Sequence, residues 1–165
     1  MGSEFLPDGI IRHAGLVMAH AATIASVLKP GELICPFALI AKGENRQSIE
    51  FEAPTQDEAV SQGWESLERY KEDFDLWAFA REGLAEGEHR KDDVLLAAAW
   101  SHGMAEPVVF TQCFIPANKG GFALVGPVAI LGKNHEADLE RIKQMFNEGI
   151  MEHPKGNRWA SWHGD

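Results

Sequence analysis

The sequence predicts an α+β domain with a largely antiparallel six-stranded sheet and three helices, in the order α-β-β-α-β-β-β-β-α. Three observations carry that reading. Three stretches repeat apolar residues every three or four positions, six runs between them have strand character, and the links between several neighbouring strands are too short for a crossover helix. At 165 residues, one domain can bury roughly 70% of its unfolded surface, so its core needs no staples.

The first helix is expected over about Ile10 to Lys29, with Ile10, Ala14, Val17, Ala21, Ile24 and Leu28 as one core-facing stripe. Pro30-Gly31 ends it, because proline cannot donate the next backbone bond and glycine tolerates a left-handed cap. The second helix opens at a capping box, Thr55 with Glu58, and turns Ala59, Val60, Trp64, Leu67 and Tyr70 inward. The third begins near Asn134 with Glu136 and Asp138 in its first turn, buries Leu139, Ile142, Met145, Phe146 and Ile150, and ends by Pro154.

The six strands fall near Ile34–Lys42, Gln47–Ala53, Asp75–Glu82, Asp93–Ser101, Pro107–Ile115 and Phe122–Leu131. Residues 43–46 and 117–121 suit hairpins, while the charged, glycine-containing stretch 83–92 reads as a mobile loop. Pro36 and Pro127 remove ladder donors and imply edges or bulges. The fourth and fifth strands are apolar on both faces, more than three helices can cover, which points to a homodimer or a partner-covered sheet. Residues 6–153 form the expected single domain. Residues 1–5 read as a cloning remnant and 154–165 as a tail, whose Trp159 and Trp162 dock back on the domain rather than stay exposed.

Composition and motifs exclude more than they assign. Two cysteines cannot build a disulfide framework, no apolar stretch reaches the roughly 20 residues of a membrane span, and a net charge of −10 argues against nucleic acid. Without an export signal, the expectation is a cytoplasmic protein whose Cys35 and Cys113 are reduced and packed as small apolar side chains. No nucleotide, cofactor or metal motif occurs, and none of the common hydrolase signatures, so no cofactor and no metal are expected.

Weak catalytic candidates are His13, His20, His102 and Cys35. His13 and His20 lie two helical turns apart, roughly 10.5 Å of rise, too far to share one ion comfortably. They read better as hydrogen-bonded rims where helix meets sheet. His102 follows a strand and could activate Cys35 or Cys113 only if the fold brought them together. His89 reads as a solvated loop residue, and His135 and His153 as ordinary helix-end residues.

Charge is the strongest clue. Residues 44–75 hold ten acidic side chains against three basic ones, a net −7 of the total −10. This favours a non-enzymatic acidic binding protein, of inhibitor, immunity or adaptor type, whose Glu50, Glu52, Glu65, Glu68 and Glu72 dock a basic protein partner. The same charge could simply keep the surface solvated. The alternative is a small hydrolase or transferase with a His/Cys-containing pocket between the first helix and the sheet. A cavity holding two titratable side chains within about 3 Å of one another would favour that alternative.

Overall fold

The computed structural model describes residues 6–86, 91–131 and 138–163. The expected cloning remnant, the expected start of the third helix, His89 and His135 lie outside the described residues. The fold is the α+β arrangement expected, with one short helix added at the end.

Helix α1 (Asp8–Ala25) stops earlier than the expected Lys29. Near its end Thr23 Oγ1 donates to the Ala19 carbonyl and Ser26 Oγ to that of Thr23, while Val27 and Leu28 switch to bonds three residues back. Side chains that satisfy nearby carbonyls and a tightened last turn unwind the helix before the proline is reached. Strands β1 (Phe37–Lys42) and β2 (Asn45–Glu50) form a two-residue hairpin at Gly43, whose φ of 61° favours glycine. Pro36 precedes β1, and its carbonyl still accepts from Phe51 N–H.

Helix α2 (Gln56–Arg69) starts where its capping box places it, with Thr55 Oγ1 accepting from Glu58 N–H at 3.2 Å. It ends before Tyr70, which is 46% exposed at the helix end rather than inward; a 3-10 turn, Lys71–Asp73, follows.

Strands β3 (Leu76–Glu86) and β4 (Lys91–Ser101) correct the expectation of a mobile loop over 83–92. Their register runs unbroken from Leu76 opposite Ser101 to Glu86 opposite Lys91, so most of that stretch is paired strand. Beyond them lie β5 (Val108–Ile115) and β6 (Ala123–Ile130), giving an all-antiparallel order β2-β1-β3-β4-β5-β6. Pro127 sits on the edge strand at a bulge, where three residues, 126–128, face the single Gln112 of β5. Gln112 is fully buried, and its Nε2 donates to the Val125 and Gly126 carbonyls that the bulge releases.

One sheet face packs α1, α3 (Leu139–Glu152) and α4 (Arg158–Trp162) over Ala78, Ala80, Leu95, Ala97, Ala99 and Phe110. Leu139, expected inside, is 37% exposed at the start of α3. The tail returns to the core as expected: Trp159 and Trp162 pack on it, and Trp162 meets the Phe122 ring edge-on at 5.4 Å. The contact between α1 and α3 is backbone on backbone. A Cβ at Gly15 would lie 2.1 Å from Phe146 O, and one at Gly149 only 1.9 Å from Arg12 O.

The opposite face carries α2, with Leu67, Phe51 and Phe79 buried together and Gly63 leaving room for the Phe79 ring. There α2 covers β1 and β3; farther out, Leu96, Thr111 and Cys113 are half-buried while Val125 and Ala129 are exposed. Among the described residues, no helix is long and apolar enough to cross a membrane.

Candidate functional site

His13 and His20 both leave α1 toward β1 and the end of α3, and meet different partners. His13 is 3% exposed, and its Nε2 donates to the Leu39 carbonyl at 2.7 Å, tying α1 to β1. Burial pushes its pKa down, as does nearby Arg46, against the opposing effect of the Leu39 bond. The bond holds the ring at the boundary between helix and sheet.

His20, one helical turn from Leu16 and Val17, meets a residue 133 positions away. Its Nδ1 lies 2.9 Å from Nε2 of His153, the residue that ends α3. The His20 ring also stands edge-on to Phe37, 5.2 Å between centroids. Behind it, His153 Nδ1 accepts from Lys155 N–H at 3.0 Å. These two rings, with Leu16, Val17, Phe37, Leu39 and Ser48, line a cleft of about 180 Å³ between α1 and the sheet. Burial lowers the pKa of both histidines; Glu50 opposes the shift at His20, while His20 and Lys155 add to it at His153. Two neutral imidazoles in contact over an apolar floor can pass or present a proton to a small bound molecule.

His153 is the functional candidate that sequence reasoning missed. A histidine at a helix end carries no local sign of the segment it will meet.

The proposed thiol–imidazole pairs do not form. His102 follows β4 beside the Trp100 ring, near the Lys42 end of β1, whereas Cys35 lies beyond the opposite end, next to Phe51. The six residues of β1 separate them, roughly 20 Å at about 3.3 Å each. Cys113 is equally remote, opposite Val94 and seven positions along β4 from Ser101.

Cys35 instead joins Glu50 and Glu52, their donor atoms all within 4.8 Å of one another. Burial pushes the thiol pKa up and both carboxylates push it further, so the group stays protonated at neutral pH, unsuited to nucleophilic attack.

The five glutamates read as one acidic flank divide between the two sheet faces. Ile49 packs on the α2 side, so Glu50, opposite Phe37 in the register, projects to the α1 side near His20 and Cys35. Glu65 and Glu68 stand on α2, their side chains 69% and 74% exposed, with Arg69 at 3.3 Å from the first and Lys71 at 2.8 Å from the second. Glu72 lies past the end of α2, in the 3-10 turn. Exposed pairs of this kind contribute little to stability, but they reduce the field the carboxylates project.

No protein-family model, no curated protein and no solved structure matches the chain.

Proposed function

We propose that the protein is a small enzyme, a hydrolase or group transferase, that works on a small, largely apolar molecule held in the cleft between α1 and the sheet. The observation that carries this reading is the 2.9 Å contact between His20 and His153 at a cleft floored by Leu16, Val17, Phe37 and Leu39. Polar groups converging on an apolar hollow are the usual make-up of a small-molecule site. Its proposed setting is the cytoplasm, where Cys35 and Cys113 would stay as free thiols.

The test is a fragment screen read by thermal shift, run in parallel on wild type and Ser48→Trp. Ser48 lines the cleft from the exposed edge strand, so a bulky ring there should fill the hollow without disturbing the core. Fragments that stabilise wild type and not Ser48→Trp support the reading. Hits that stabilise both equally place binding elsewhere and overturn it.

A docking role for the acidic side of α2 has support in the exposure of Glu65 and Glu68, although each already faces a cation. A homodimer is the matching proposal for the sheet surface around Val125 and Ala129 that α2 leaves bare. Light scattering that gives a monomer at micromolar concentration removes it.

A further inference from the structure

Hydrogen-bond roles behind the cleft admit one neutral arrangement. The Lys155 N–H can only donate, so His153 Nδ1, 3.0 Å away, holds a lone pair. A neutral imidazole with a bare Nδ1 carries its proton on Nε2. His153 Nε2 therefore donates across 2.9 Å to His20 Nδ1, and the His20 proton sits on its own Nε2.

We infer that the chain Lys155–His153–His20 locks His20 as the Nε2–H tautomer, so that the cleft meets its ligand with a hydrogen-bond donor and takes a small, largely apolar molecule bearing a carbonyl or carboxylate oxygen. The ligand half of this inference rests on the cleft reading above; the tautomer half does not.

The electrostatics of the two rings agree with the lock. An extra proton on either ring would set two N–H groups against each other, at His20 Nδ1 or at the Lys155 amide, and both histidines indeed have lowered pKa values. A metal bridging the pair would have to strip the proton from His153 Nε2 while Nδ1 stays engaged by Lys155, leaving a costly imidazolate. The volume of about 180 Å³ is below the roughly 300–1,000 Å³ of sites that bury a drug-sized ligand, so a whole nucleotide or peptide does not fit inside. In this arrangement His153 is a positioning residue, setting the tautomer that His20 presents.

Nitrogen-15 NMR of the imidazole rings in wild type, His153→Ala and His153→Gln at pH 7.5 tests the lock without any ligand. In wild type, both rings should show the protonated-nitrogen signal at Nε2 and the bare-nitrogen signal at Nδ1. His153→Ala should leave His20 a mixture of tautomers, while His153→Gln, whose amide still donates, should restore the single form. A wild-type His20 protonated at Nδ1, or a His20 tautomer indifferent to both substitutions, overturns the lock.

The ligand half is read by titrating isobutyramide, isobutyrate and isobutylamine, three probes of one shape. Perturbation of the His20 signals by either oxygen probe, and not by the amine, supports it; a response to the amide or to the carboxylate alone separates a carbonyl from an anionic ligand. Preference for the amine overturns the donor role. A locked tautomer with no probe response overturns the cleft reading and leaves the lock standing.

Discussion

Replacing Gly149 with alanine should show how tightly α1 and α3 are pressed together. The new Cβ would sit 1.9 Å from the Arg12 carbonyl oxygen and 2.7 Å from its carbon, where a carbon and an oxygen ordinarily keep about 3.3 Å. The two helices would have to part by roughly 1.4 Å at that point, and Gly15, only 2.1 Å from Phe146 O in the same terms, shows that the interface has no slack next door. Two effects oppose each other. Alanine is the better helix former by about 1 kcal/mol, whereas overfilling a packed contact costs about 1–3 kcal/mol, and the upper end applies because a backbone carbonyl cannot swing away as a side chain can. The expected net loss is about 2 kcal/mol. Gly9, on the same α1, is the control: a Cβ there would meet nothing within 4 Å, so Gly9→Ala should be neutral or stabilise by up to about 1 kcal/mol. Urea unfolding checks both, reading the midpoint at unchanged m-value. If Gly149→Ala matches wild type, or if Gly9→Ala is the more damaging of the two, the close-packing argument is wrong.

Leu67→Ala and Ile142→Ala, at sites 2% and 3% exposed on opposite sheet faces, should each cost about 2–5 kcal/mol in the same assay, and much smaller losses would mean that the helix faces are misassigned. Glu65→Lys with Glu68→Lys should change stability by no more than about 0.5 kcal/mol per site and weaken capture of a basic protein at low salt; unchanged capture ends the docking reading. Stability should fall as pH drops from about 7 through 6.5 toward 5, because His13, His20 and His153 have lowered pKa values and the unfolded chain takes up protons that the folded rings refuse. Arg46 beside His13, Glu50 beside His20 and Lys155 beside His153 are the charged groups that act on these rings. Glu82, whose pKa burial raises, acts with the opposite sign at the acid end of the range by taking its proton first in the folded state. A His20→Gln, His153→Gln variant should show a flatter pH dependence than wild type; an identical slope refutes the assignment.

What the sequence disclosed was local. Thr55 with Glu58 announced the start of α2, Pro154 the end of α3, and the strand alternation placed Glu50 and Glu52 away from Ile49 and Phe51, because each rests on contacts within a few residues. Alternation does not say which helix covers the side that Glu50 faces, so carboxylates adjacent in sequence look like one flank although the fold divides them. Glycine and charge around residue 83 resemble a loop, whereas strand pairing out to Glu86 and Lys91 outweighs that local preference. The site depends on an encounter across 133 positions, and the two glycines that press α1 against α3 look, in a helical pattern, like defects.

The bulge on β6 bears on how copies of this molecule can meet. An outer strand with a regular ladder is a template on which another chain can add, and open sheets aggregate by that route. Here three residues of the rim are pushed out of step at Gly126 and Pro127, and the carbonyls set loose are taken by Gln112 from within the same molecule. The far rim, β2, is six residues long, exposed at all but Ile49, and carries Arg46 and Glu50. With one margin broken and the other short and charged, sheet-to-sheet growth is discouraged at both ends.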